Sequence, residues 1–160
     1  MKKKNILLWL EDKPEEIADL ISEVQGKVDE VEIRRKPIGI KTAFDELTSS
    51  TKDNVNICGM VIDIMLDHVN DLEGVGLGHI KTPGGFEAGL AFIKHYVLKK
   101  PLWKTIPLCV FTMIEDDRVT ELLQNSNVDI AKVKVIEKYT GKWEEDLLKW
   151  VETLVDKEEN

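Results

Sequence analysis

The stretch that decides the fold runs from residue 57 to residue 63 and reads ICGMVID. Its uncharged, mostly apolar residues lead without a break into Asp63, and such a run predicts a strand covered on both faces of a sheet. A second run, NILLWL at residues 5–10, leads in the same way into the acidic pair Glu11 and Asp12. Two buried strands that end in carboxylates indicate a sheet with polar chemistry at one edge.

Strand and helix patterns alternate along the rest of the chain. Further strand patterns lie at residues 31–35, 107–111 and 133–136. Apolar residues at three- and four-residue steps predict helices after Pro14 and over 40–47, 86–99, 115–124 and 143–155. Five strands alternating with five helices predict an α/β fold, a doubly wound five-stranded parallel sheet.

Length and composition narrow the classes of function. With 160 residues, 42% of them hydrophobic, the chain can form one domain with a core, which we expect to span residues 1–160. A net charge of −8 argues against general affinity for nucleic acid. The apolar runs are too short to cross a membrane, and Cys58 and Cys109 lie in apolar segments, as reduced buried thiols do. We therefore expect a cytoplasmic protein.

Polar residues follow four of the five predicted strands. They are Glu11 and Asp12, Asp63, Thr112, and Lys138. Because ligands of doubly wound sheets collect at the carboxyl ends of the strands, we expect these side chains to converge. Carboxylates that meet repel one another, and a hard cation such as Mg²⁺ relieves the repulsion. One of the acids could then act as nucleophile toward a phosphoryl donor, with the metal and the lysine holding the phosphoryl oxygens.

Four motifs, in this order, resemble the receiver domains of two-component response regulators. They read ILLWLEDKP at residues 6–14, VIDIML at 61–66, PLCVFT at 107–112 and VIEK at 135–138. Together they span nearly the whole chain. The resemblance implies the flavodoxin-like (βα)5 receiver fold. Because the last predicted helix ends within a few residues of residue 160, we expect a receiver that stands alone without an appended output module.

The resemblance also implies a role for each residue at the sheet edge. Asp63 is the phospho-acceptor, supplied by a histidine kinase or a phosphotransfer protein, Lys138 contacts the phosphate, and Thr112 is the switch hydroxyl. The implied Mg²⁺ ligands are Glu11, Asp12, Asp63 and the backbone carbonyl of Met65. Such a chain signals through phosphorylation-dependent contact with a downstream protein, which the sequence does not identify. It is not an enzyme beyond self-catalysed phosphorylation and dephosphorylation.

Several positions depart from the family's pattern. Asp67 and Tyr139 stand where the family usually has prolines, Met113 where it has a small residue, and Val135 where it has an aromatic switch. These departures keep open a pseudo-receiver, which uses the fold for protein interaction and is never phosphorylated. A metal-dependent phosphohydrolase is a weaker alternative, because Met65 stands where such an enzyme needs a second acid.

The largest departure is a long inserted loop at residues 66–85, after the third strand. It holds five of the ten glycines, and Gly85 lies 22 positions after Asp63. No Gly-Lys-Ser/Thr follows its glycines, so a nucleotide-binding loop is not indicated. Because the segment starts beside the proposed phosphorylation site, we expect a lid or a partner-docking surface. The polar residues 157–160 are expected to form a frayed tail.

Overall fold

A computed structural model describes residues 4–11, 14–35, 55–101 and 103–155, and its centre is a parallel sheet. The sheet strands are β1 (Lys4–Leu10), β2 (Val31–Arg35), β3 (Val55–Ile62), β6 (Leu108–Thr112) and β7 (Val133–Glu137). Their order is β2-β1-β3-β6-β7, and all neighbours run parallel. The chain adds β2 on one side of β1 and then β3, β6 and β7 on the other side. This change of direction confirms the doubly wound five-stranded sheet predicted from the sequence.

Four α-helices connect or follow these strands in the described chain. They are α1 (Ala18–Lys27), α2 (Ala88–His95), α3 (Asp116–Asn125) and α4 (Trp143–Thr153). Helix α2 is shorter than the predicted helix over 86–99. Glu87 has a non-helical ψ of 29° just before its start, and Val97–Lys99 form a separate 3-10 turn after its end. None of the described helices has the length and apolar character needed to span a bilayer. The predicted helix over 40–47 and the tail 157–160 lie outside the described residues.

The core has two halves, one on each face of the sheet. One half joins α1 and α4 to the sheet through Leu7, Trp9, Val61, Phe111, Leu20, Val24, Leu147 and Val151. The other joins α2 and α3 to it through Leu8, Leu10, Ile62, Val110, Phe92, Ile93, Val119 and Leu123. Successive residues of one strand point to opposite faces, so burial on both faces requires the continuous apolar runs seen in the sequence.

The inserted segment 66–85 has regular structure of its own, which the sequence pattern did not reveal. It contains an antiparallel pair, β4 (Asp71–Leu72) with β5 (Leu77–Lys81). The ends of the segment are joined where the amide of Leu66 donates to the carbonyl oxygen of Gly85 at 2.9 Å. The side chain of Leu72 is fully buried in the core beside α2. The segment is thus anchored to the domain rather than a structureless loop.

Candidate functional site

The described ends of β1, β3, β6 and β7 meet at one edge of the sheet. The amide of Asp63 donates to the carbonyl oxygen of Leu10 at 3.2 Å, and the amide of Lys138 donates to that of Thr112 at 2.8 Å. A cleft of about 180 Å³ opens there. Its lining includes the predicted site residues Glu11, Asp63, Met65, Thr112 and Lys138. Asp12, the remaining predicted ligand, lies outside the described residues.

Three charged side chains form a buried cluster in this cleft. The Lys138 ammonium lies 2.5 Å from Glu11 Oε2 and 2.8 Å from Asp63 Oδ2. Only 4% of Glu11, 6% of Asp63 and 8% of Lys138 is exposed. The Lys138 ammonium is therefore the counter-charge of two carboxyl groups that are almost fully buried.

The environment of Lys138 favours its charged form. Burial by itself lowers the pKa of the ammonium, but attraction to Asp63 and Glu11, with the hydrogen bonds they accept, raises that pKa above its usual value. A group whose folded-state pKa is raised contributes stability that is fully present below its unfolded pKa. That contribution is lost only as the pH rises through the folded value, so the cluster stabilises the protein at neutral pH.

Backbone amides hold the other polar atoms of the cleft. The amide of Met65 donates to Asp63 Oδ1 at 3.1 Å, so each carboxylate oxygen of Asp63 accepts one hydrogen bond. The amide of Ile114 donates to the buried Thr112 hydroxyl oxygen at 3.4 Å, which is long for a hydrogen bond. Met113, which lies between Thr112 and Ile114 in the loop after β6, also lines the cleft and is 65% exposed.

Aromatic rings extend from this cleft to the surface. The Lys138 ammonium lies 5.2 Å from the centre of the Phe111 ring, which stacks on Trp143 at 5.7 Å. Trp143 in turn contacts the exposed ring of Tyr139 at 5.0 Å. Tyr139 has a φ of +65°, and there is no cis peptide bond among the described residues. The loop after β7 therefore turns through a left-handed residue, Tyr139.

Sequence reasoning missed two residues that shape the site. Glu16 lies in the 3-10 turn Pro14–Ile17 and lines the cleft. The sequence indicated only that an acidic residue stands in the turn that follows β1. Gly89 of α2 lies against the backbone of β3, where a Cβ atom would stand 2.0 Å from the carbonyl oxygen of Asp63. No pattern in the sequence indicates that close approach.

Comparison with known proteins identifies the fold. No protein-family model matches the chain, and no curated protein matches it significantly in sequence. The signal receiver domain of a DNA-binding response regulator from Colwellia psychrerythraea is 18% identical, with a TM-score of 0.57 over 94% of this chain and 98% of that chain.

Two further solved structures are similar. Chemotaxis protein CheY4 of Vibrio cholerae is 14% identical, with a TM-score of 0.57 over 94% of this chain and 98% of that one. The Mn²⁺-bound form of response regulator Rcp1 is 16% identical, with a TM-score of 0.54 over 93% of this chain and 90% of that one. The chain therefore has the fold of response-regulator receiver domains.

Proposed function

We propose that this chain is a receiver that accepts a phosphoryl group on Asp63 from a phosphohistidine of a histidine kinase or phosphotransfer protein. The observation that carries the proposal is the buried cluster of Glu11, Asp63 and Lys138 at the strand ends. Buried charged groups with mutual contacts in a cleft are typical of functional sites. The receiver fold supports the same function, because Asp63 directly follows β3 and the family resemblance implies an acceptor aspartate at that strand end.

The residues of the cleft fit Mg²⁺. The carboxyl groups of Glu11 and Asp63 face one cleft, which Glu16 and Met65 also line. No group of three metal-binding side chains gathers among the described residues. Mg²⁺ is nevertheless commonly held by one or two carboxylates together with several waters. We propose Glu11, Asp63 and the Met65 carbonyl as ligands, with Asp12 as a fourth.

The chemistry requires one nucleophile and one positioned cation from the chain. A carboxylate oxygen of Asp63 bonds to phosphorus while the bond from phosphorus to the donor's imidazole nitrogen breaks. The electron pair leaves with that nitrogen, which takes up a proton. Lys138, 2.8 Å from Asp63 Oδ2, then holds an oxygen of the transferred group. Mg²⁺, when bound, neutralises charge on the phosphoryl oxygens.

Thr112 provides the proposed link from phosphorylation to the surface. Its hydroxyl oxygen accepts a 3.4 Å hydrogen bond from the amide of Ile114, a weak bond that breaks when the hydroxyl rotates to donate its proton to a phosphoryl oxygen. When the hydroxyl turns toward the phosphoryl group, the amide of Ile114 is released and the neighbouring exposed Met113 moves with it. A partner protein then recognises the changed loop.

Incubation with Mg²⁺ and acetyl phosphate is expected to add the mass of one phosphoryl group, in an acid-stable and base-labile form. Asp63→Asn is expected to abolish the adduct, because an amide oxygen is a poor nucleophile. Asp67→Asn is the matched control, because it also removes one acid, from the start of the insertion. This variant is expected to form the adduct. Mass spectrometry of the intact protein measures both, and an adduct that persists in Asp63→Asn would contradict the proposal.

A pseudo-receiver is the second candidate, and Met113 is the observation that favours it. Its exposed side chain lines the cleft where a donor has to approach Asp63. If crowding alone limits the reaction, Met113→Ala accelerates adduct formation with acetyl phosphate. If the chain is a pseudo-receiver, neither protein forms an adduct and calorimetry detects no Mg²⁺ binding.

A further inference from the structure

A ring of hydrogen bonds closes the base of the insertion at residues 66–85. The Leu66 amide donates to the carbonyl oxygen of Gly85 at 2.9 Å, and the Gly85 amide donates to that of Thr82 at 2.8 Å. The Thr82 hydroxyl donates to the carbonyl oxygen of Val69, whose amide donates to that of Leu66 at 3.1 Å. We call Leu66, Val69, Thr82 and Gly85 the neck of the insertion. The Thr82 hydroxyl makes the one side-chain link in this ring.

The neck is closely packed. Leu66, Thr82 and Gly85 are buried. A Cβ atom at Gly85 would lie 1.8 Å from the Leu66 carbonyl oxygen, and the φ of +77° at this position also favours glycine. Asn70 adds two bonds across the neck, because its carbonyl oxygen accepts from the Thr82 amide and its side-chain oxygen from the Gly84 amide, both at 2.8 Å. Since the Thr82 side chain is buried, water cannot readily replace the hydrogen bond of its hydroxyl.

The neck begins beside the residue that holds the carboxylate of Asp63. The Met65 amide donates to Asp63 Oδ1 at 3.1 Å, and the next amide along the chain, that of Leu66, belongs to the neck. Residues 66–85 are all described, and none of them lines the cleft. The insertion can therefore influence the carboxylate through the backbone of Met65 and Leu66 rather than by lining the cleft.

We propose that Thr82 is a positioning residue for Asp63. Its hydroxyl closes the neck, the neck fixes the backbone of Leu66, and that backbone holds the Met65 amide against Asp63 Oδ1. The carboxylate then keeps Oδ1 on the Met65 amide and Oδ2 on Lys138. A nucleophile that is already oriented reacts faster than one that must be ordered during the reaction. The effect on rate rests on the proposed phosphorylation of Asp63, whereas the hydrogen bond from Met65 is present without it.

Thr82→Val tests the proposal, because valine has nearly the size of threonine and lacks the hydroxyl. In NMR spectra recorded without a phosphodonor, we expect the amide proton resonance of Met65 to move upfield as its hydrogen bond to Asp63 lengthens. With acetyl phosphate and Mg²⁺, we expect the rate constant of adduct formation to fall about fivefold, the factor that corresponds to one lost hydrogen bond. Ile21→Val is the control, since it removes a buried methylene group from the other half of the core and is expected to change neither quantity.

Thr82→Ser keeps the hydroxyl and is expected to restore the parent resonance and rate. Asn70→Ala removes the bond to the Gly84 amide from an exposed position and is expected to move the Met65 resonance in the same direction as Thr82→Val. It decides the proposal if circular dichroism shows that Thr82→Val does not fold. An unmoved Met65 resonance, an unchanged rate constant in Thr82→Val, an equal slowing in Ile21→Val, or no recovery in Thr82→Ser overturns the proposal. If the parent forms no adduct, the proposed function fails, and the Met65 resonance alone still tests the role of Thr82.

Discussion

Gly89→Ala is expected to destabilise the protein strongly, although alanine is normally the better helix former. Gly89 is the second residue of α2, and its amide donates to the carbonyl oxygen of Ile64 at 2.8 Å. A Cβ atom there would lie 2.0 Å from the carbonyl oxygen of Asp63, which is a backbone atom at the end of a buried strand and cannot rotate away as a flexible side chain could. Helix α2 must shift away and lose that hydrogen bond. We expect a loss of about 3 kcal/mol in the free energy of unfolding, measured by urea denaturation.

Gly26→Ala in α1 is the matched control for this effect. Gly26 is exposed and is not in the left-handed region, and outside its own helix no atom lies within 4 Å of the place that a Cβ would take. Alanine at this position only reduces the conformational freedom of the unfolded chain. We therefore expect the free energy of unfolding to rise by roughly 0.5–1 kcal/mol. Two glycine-to-alanine changes in helices thus have opposite predicted signs. A Gly89→Ala protein as stable as the parent would contradict the close packing of α2 on the acceptor strand.

Lys138→Met is expected to have the second large effect. The substitution keeps a long, largely apolar side chain but removes the cation between Glu11 and Asp63. Two buried carboxyl groups are then left facing one another without a counter-charge. Removing one partner of a buried ion pair typically lowers the free energy of unfolding by about 3–5 kcal/mol. At neutral pH without divalent cations, we expect a decrease at the lower end of that range.

Mg²⁺ is expected to restore part of this loss. A cation that binds only the folded state stabilises it by mass action, and in Lys138→Met it also replaces the missing positive charge. The rise in melting temperature on adding Mg²⁺ is therefore larger for the variant than for the parent. Lys134→Met, at an exposed position on the same strand β7, is the control and is expected to change stability by no more than about 0.5 kcal/mol. Equal stability of Lys138→Met and the parent would contradict the buried cluster.

The central sheet could be predicted from the sequence because burial on both faces leaves a strong local signal. Strands such as β3 must be apolar at successive positions, and the charged residues that follow them mark where the strands end. Helix α4 was equally evident from its apolar stripe. The bounds of α2 were not evident, since they depend on the backbone conformations of Glu87 and Tyr96, which the apolar pattern does not determine.

The inserted segment and part of the site could not be predicted for a different reason. Strand β4 has only two residues, too few for a periodic pattern, and Leu72 is recognisable as a core residue only once its position beside α2 is known. Parallel strand ends bring Glu11, Asp63 and Lys138 to one edge, so their meeting follows from topology. The close approach of Gly89 and the position of Glu16 depend on the packing of neighbouring elements, which leaves no signal along the chain.

The most direct measurement of the central claim locates the phosphoryl group itself. The chain is treated with acetyl phosphate and Mg²⁺, reduced with borohydride, digested and sequenced by tandem mass spectrometry. Reduction of an aspartyl phosphate converts that aspartate to homoserine. We predict homoserine at position 63 and at no other aspartate, and none when Mg²⁺ is omitted. Unmodified Asp63 alongside homoserine at another position, or no homoserine anywhere in the chain, would contradict the account.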